Sequence, residues 1–321
     1  MTQKFNFRSL ATKIATLLFA SLISAACVWY LVEHFAWRDI FTQIRGINFG
    51  KLIGTVTVIQ FLYILVRTWR WQMVVKKANP HVRFVELYWI TAIVVSLANF
   101  TPGQLGETLK IELLKRRGLL DRLPGVGALA LERLMDLLVV ITMGAVGLVF
   151  GSGLGARYHG LATGTAFLFA CVLVTLYLLL RFAPVSSEVP WLIRLRSGTG
   201  SPKTWVKMMV LTVCSWSLVG VGWQVVLLAI DVHISFPEIM WLIALVTLGS
   251  ILSLIPGGLG IAEVLAMQAL VEMGIAPVSA QAGSLMLRGY GMIVLLFGFI
   301  HLISWLTFNR LLKGILSTRN N

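Results

Sequence analysis

The chain has 321 residues, of which 58% are hydrophobic and 12% charged, with a mean hydropathy of +0.86. Soluble domains carry about 25% charged residues, so a water-soluble globular fold is excluded. The net charge of +14 would suit a nucleic-acid ligand in a soluble protein. Here, though, the basic residues fall in short runs between apolar stretches, Lys76-Lys77, Lys115-Arg116-Arg117 and Arg194 to Lys207. That placement marks cytoplasmic loops of a membrane protein, and nucleic acid is not an expected partner.

A bilayer core of ~30 Å takes ~20 apolar residues per helical crossing. A first crossing is predicted near 14–32; Lys4, Arg8 and Lys13 before it make it an uncleaved anchor with a cytoplasmic N-terminus. An outer loop with Arg38, Arg45 and Lys51 leads to a second crossing near 52–75. The end of that crossing, with Arg67, Trp69, Arg70, Trp71 and Lys76, reads as an interfacial anchor. A third apolar stretch, 84–100, stops at Asn99-Phe100-Thr101-Pro102-Gly103, because Pro and Gly break helices. The piece that follows, Glu107 to Arg117, is too short and too charged to cross, so the pair is predicted to be re-entrant from the cytoplasmic side.

Crossings follow near 127–150, 160–181 and 205–230, with a basic loop at 182–204. The stretch 237–255 descends to a second break at Pro256-Gly257-Gly258-Leu259-Gly260, followed by a short piece at 261–273 and a last long segment at 278–308. Both termini are then cytoplasmic. Arg38, Arg45, Lys51 and Arg157 fall outside, Arg133 and Arg288 within the membrane, and the other Lys and Arg inside.

The breaks repeat. Pro102 to Gly106 (PGQLG) recurs as Pro256 to Gly260 (PGGLG), 154 residues later, and 127–131 resembles 283–287 at an offset of 156. The shared order and near-equal offset indicate duplication. The fold expected is all-α, a single polytopic membrane domain over 1–321 with an inverted-topology repeat, about 50–182 and about 205–310, and two re-entrant Pro/Gly-broken helix pairs. Interrupted hydrophobic segments at matching places in two halves point to a transporter's midplane site. Helix N-termini near Gly106 and Gly260 would offer N–H groups and positive dipole ends to an anion such as a lipid phosphate.

Charges in the bilayer cost about 2.5–3.5 kcal/mol each on insertion scales. Glu107, Lys110, Glu132, Arg133, Asp136, Glu263 and Arg288 all lie in or beside predicted membrane segments. Glu132 and Asp136 share a helix face at i,i+4, and Arg133 reaches Asp136 at i,i+3. Two roles stand open: Arg133 and Arg288 gripping a lipid phosphate while the carboxylates contact a headgroup or carry a coupling proton, or an ion-pair network that only pins the two halves. The five His and three Cys lack metal-ligand, triad or CxxC spacing. No catalytic residue, metal or cofactor is expected, and no nucleotide-binding motif occurs.

The ordered set Asn99-x-x-Pro102-Gly103-x-x-Gly106-Glu107, Glu132-Arg133-x-x-Asp136, Pro256-Gly257-Gly258-x-Gly260-x-x-Glu263 and Arg288 resembles the flippase-like family typified by the transmembrane region of lysylphosphatidylglycerol synthases. The resemblance implies a lipid-translocating module. Those synthases carry a soluble aminoacyl-transferase domain after the membrane region, and this chain ends eleven residues after Arg310, so synthesis by that route is not expected. The expected function is movement of an anionic or phosphate-bearing lipid (a phospholipid, a hopanoid-type lipid or a polyprenyl-phosphate) between leaflets of the inner membrane, with a separate lipid-modifying enzyme as a candidate partner. The alternatives are an intramembrane lipid-headgroup transferase and a scaffold for an envelope-lipid enzyme.

Overall fold

The computed structural model describes residues 7–151 and 202–318. In chain order it contains α1 (Phe7–His34), α2 (Trp37–Ile44), α3 (Phe49–Ala78), α4 (Phe84–Ala98), a 3-10 turn (Pro102–Glu107), α5 (Thr108–Arg116) and α6 (Arg122–Phe150). Then come α7 (Pro202–Leu228), α8 (Phe236–Ser253), a second 3-10 turn (Pro256–Gly258), α9 (Ile261–Glu272) and α10 (Pro277–Thr318). The described residues form no strand, and five of their helices are long and apolar enough to cross a membrane: α3, α6, α7, α8 and α10. The protein is thus an all-α polytopic membrane protein. The crossing expected at 160–181 and most of the basic loop at 182–204 lie outside the described residues.

Local sequence sets the helix starts. Asn48 caps α3 by accepting the Lys51 N–H at 3.0 Å. Ser235 and Glu238 cap α8 reciprocally, and Pro237 occupies its first turn, where a missing N–H costs nothing. The two breaks fall where expected, at Pro102–Glu107 and Pro256–Gly258. Three of their arms are short, 15 and 9 residues in α4 and α5 and 12 in α9, whereas α8, with 18, is long enough to cross.

Packing is reciprocal between the halves. Helix α3 packs on α7, α4 on α10, α8 on α6, α5 on α6 and α9 on α10, and the two 3-10 turns touch each other. Exchanging the halves leaves this set unchanged, as for two copies related by a two-fold axis. Close approach of α6 to α8 needs small residues: a Cβ on Gly147 would strike the Pro237 carbonyl and the Trp241 backbone, and one on Gly144 would strike Ala244. Outward-facing Trp29, Val58, Trp69 and Ile303 are each about 60% exposed, the surface a chain presents to lipid rather than to water.

Two features differ from the sequence reading. The outer loop after α1 contains a helix, α2, because Trp37, Ile40, Phe41 and Ile44 recur at i, i+3, i+4 and i+7. It is tied down by Gln43, which donates to the Ile230 carbonyl at 3.1 Å and Ser279 Oγ at 3.2 Å. The supposed interfacial anchor at the end of α3 also splits in two. Trp69 and Lys76 face outward, whereas Arg67, Arg70 and Trp71 are 4%, 2% and 2% exposed. The reason is helical spacing: 63, 67, 70 and 71 lie on one face, and that face meets carboxylates inside the protein.

Candidate functional site: a basic cavity between two broken helices

In the first break, Thr101 Oγ1 accepts the Gly106 N–H at 2.8 Å and donates to the Ala98 carbonyl at 2.7 Å. Gln104 sits at φ +58°, a left-handed value uncommon for a residue with a Cβ. At the matching place in the second break, Gly258 has φ +61° and Gly257 has φ +62°. The repeated turn thus reuses one backbone device, supplied by Gln in one half and Gly in the other.

Around the first break lies an ion network. Glu132 and Asp136 present one face of α6 to α3, as their spacing predicts. Arg70 bridges them, at 2.5 Å from Glu132 and 2.7 Å from Asp136, and also donates to Thr212 on α7 at 2.7 Å. Arg67 reaches Glu132 at 2.7 Å, Glu107 at 3.3 Å and Asp136 at 3.5 Å, and donates to the Tyr63 hydroxyl at 2.9 Å. Arg133 reaches Asp136 at 2.7 Å and Glu107 at 3.0 Å, and donates to the Gln104 side-chain carbonyl at 2.8 Å. Trp71 Nε1 donates to Glu132 at 2.6 Å, and Lys110 Nζ stands 3.7 Å from the same carboxylate. Four cations, of which only Arg133 is partly exposed, therefore face three buried carboxylates, leaving one positive charge in excess.

The second break is held by fewer side chains, Arg288 and Glu263 first, with Ser24 donating to the Leu259 carbonyl at 3.2 Å. Arg288 Nε donates to Glu263, Nη1 to the Gly257 carbonyl at 2.8 Å and Nη2 to the Gly258 carbonyl at 3.2 Å. Glu263 in turn accepts the Gly260 N–H at 2.9 Å. Arg133 and Arg288 do the same job in the two halves: each ties a break to an acid in or just after it, Glu107 or Glu263.

A cavity of about 210 Å³ is lined by both breaks. Asn99, Thr101 and Gln104 line it from the first break, Gly257 and Gly258 from the second, and Arg67, Arg133, Arg288 and Glu263 bring charge to it. Tyr63, Phe100, Trp216, Trp223 and Tyr290 supply an aromatic wall. Its volume is below the roughly 300–1,000 Å³ of ordinary ligand pockets, so it suits a small guest. Several buried donors beside it have no partner among the described residues: Gln60 Nε2, Arg67 Nε and Arg133 Nε. An unpaired buried donor costs about 1–3 kcal/mol. All three are donors, so the guest that would satisfy them is rich in acceptors.

The residues singled out from sequence therefore divide. Arg133, Arg288, Glu263, Asn99, Gly257 and Gly258 line the cavity, while Glu107, Glu132 and Asp136 lie behind it in the network. Gly106 and Gly260 do not line it. Their N–H groups are already donated, and a Cβ on Gly260 would meet Cys27 and the Ser24 carbonyl, so this glycine is where α1 approaches the break. Pro102, Gly103 and Pro256 shape the turns. Sequence reasoning missed Arg67, Arg70, Gln60 and Gln104. For the two arginines the signal was present, since three acids predicted inside needed more cations than Arg133 and Lys110.

Fold and cavity together define a polytopic membrane protein whose two halves enclose a basic site between broken helices. The family model of the lysylphosphatidylglycerol synthase TM region matches residues 17–298, and the chain belongs to that family. No curated protein matches the chain.

Proposed function

We propose that the protein is a flippase-like transporter that moves an anionic, phosphate-bearing lipid between leaflets of the cytoplasmic membrane. The observation that carries this reading is the cavity itself: it lies between the two breaks, holds three arginines and an excess positive charge, and is bordered by unpaired donors. Arginine's planar fork matches phosphate oxygens in pairs. Arg133 and Arg288, 32% and 20% exposed at their side chains, can exchange part of their present bonds for a phosphate. Alternating access would come from rocking of the two halves about the breaks, each entering from its own side, with both termini cytoplasmic.

A headgroup transferase would need a carboxylate free to act as base. Glu263 lines the cavity but is occupied by Arg288 and the Gly260 N–H, and the other acids are enclosed by cations, so the transport reading is preferred. The test is reconstitution into phosphatidylcholine vesicles carrying a trace of tail-labelled phosphatidylglycerol, quenched from outside. Inner-leaflet label should become quenchable only with protein present, with the lipid's mass unchanged. Transfer no faster than in protein-free vesicles would contradict transport, and a new headgroup mass would favour the transferase.

A further inference from the structure

Lys110 is buried and not used by the cavity. It lies on α5 at 1% exposure, and its Nζ makes no hydrogen bond among the described residues. The ammonium stands 4.5 Å from the centroid of the Trp71 ring on α3, a cation–π arrangement, and 3.7 Å from Glu132. The charged groups that face it are Glu132 and Arg133 from α6, Glu107 from the break turn and Arg67 from α3. Helix α4, also packed on α5, has one charged residue, Glu86, which pairs with Arg117 at 3.3 Å; its Tyr88 hydroxyl is engaged with His301 at 2.9 Å.

The network has four cations, Arg67, Arg70, Lys110 and Arg133, against Glu107, Glu132 and Asp136. Arginine keeps its proton at any accessible pH, and lysine is the one cation of the four able to release it. The carboxylates are poor proton carriers here. Glu132 is bonded by Arg67, Arg70 and Trp71, Asp136 by Arg70 and Arg133, and Glu107 by Arg133 and Arg67.

From this we infer that Lys110 carries the proton coupled to anion binding in the cavity. With Lys110 as an ammonium the network holds one positive charge in excess, transmitted to the cavity through Arg67 and Arg133, and a phosphate monoanion balances it. With Lys110 as an amine the network is already neutral, and the same anion enters uncompensated. The proton passes to Nζ from hydronium or a buffer acid in solution, forming one N–H bond and breaking the donor's bond to that proton, and no other bond changes. Linkage makes the effect reciprocal: protonation tightens the anion, and the anion tightens the proton. The inference rests on the phosphate-binding part of the proposed function but not on translocation.

The experiment is calorimetric titration of the purified full-length protein in detergent with dihexanoylphosphatidylglycerol, from about pH 6 to about pH 10, in two buffers of different ionisation enthalpy. Wild-type protein should take up close to one proton per lipid on the alkaline side, where affinity should fall roughly tenfold per pH unit. Lys110→Arg, with a fixed charge, should bind without proton uptake and with affinity independent of pH. Lys110→Met, checked for folding by its melting transition, should bind at every pH as weakly as wild type does at high pH. Wild-type binding without proton uptake, or uptake that persists in Lys110→Arg, overturns the coupling and leaves the phosphate site standing. Absence of binding in every protein at every pH overturns the site and the coupling together.

Discussion

The first break is bound into a web of ion pairs and the second is tied by a single ion pair with a few hydrogen bonds. Separating the first from its surroundings means pulling four cations away from three buried carboxylates, whereas freeing the second means releasing Arg288 from Glu263 and two carbonyls, and Ser24 from the Leu259 carbonyl. The backbones differ in the same sense. One residue of the first break, Gln104, has a left-handed φ, against Leu254, Gly257, Gly258 and Gly260 in the second. The two halves thus share a turn that is anchored by a web of ion pairs in one and by a single ion pair in the other. Under the proposed transport function the second break would be the hinge, the side with fewer ion pairs to break.

The largest expected effect comes from attacking the web. Arg70→Ala removes the cation that bridges Glu132 and Asp136 and leaves those buried acids without their closest ion pairs, at a cost of about 3–5 kcal/mol. Folded yield on size-exclusion chromatography should collapse, while the charge-neutral pair Arg288→Gln with Glu263→Gln, which leaves no uncompensated charge at the second break, should retain most of it. Equal losses would remove the contrast.

A smaller effect is expected at the hinge backbone. Gly258→Ala puts a Cβ at φ +61° and 2.8 Å from Ser250 Cβ. The left-handed strain is about 1–2 kcal/mol, so melting in detergent should drop by a few degrees. Transport should slow further than that loss explains, because the hinge turn itself is altered.

The smallest effect belongs to exposed charge at the polar ends of α5 and α6. Hydrogen bonds from Arg122 and Arg116 hold the Glu112 carboxyl below the usual carboxylate range. A depressed carboxylate contributes stability above its unfolded pKa and loses it as pH falls through the folded one. The group is open to solvent, so the contribution is screened. Glu112→Gln should leave both melting temperature and transport unchanged at neutral pH, and a clear shift in either would show that the web extends to the surface.

Much of this architecture is legible in the sequence. The breaks at Pro102 and Pro256, the face shared by Glu132 and Asp136, and the matched places of Arg133 and Arg288 all follow from spacing. Arg67 and Arg70 were misplaced because an Arg-Trp cluster at a helix end has the same composition whether it meets lipid headgroups or a partner helix. Only the opposing face of α6 decides, and that is a tertiary fact. Gly106 and Gly260 were assigned to an anion because a helix N-terminus offers free N–H groups, yet Thr101 and Glu263 had already claimed them. Local caps compete with ligands, and a sequence pattern does not show which one wins. Helix α2 was readable from its i, i+3, i+4, i+7 apolar residues but was hidden by its length of eight.

The central claim, that the arginines of this cavity hold a lipid phosphate, is tested most directly by lipid translocation in proteoliposomes, normalised to folded protein. The variants are Arg288→Lys, Arg288→Ala and the charge-neutral pair Arg288→Gln with Glu263→Gln. Phosphate recognition predicts impaired transport in Arg288→Lys, which keeps the charge but loses the fork, a larger loss in Arg288→Ala, and a double variant that folds but does not transport. Full transport by the double variant would contradict it and leave Arg288 and Glu263 as a pair that only balances itself.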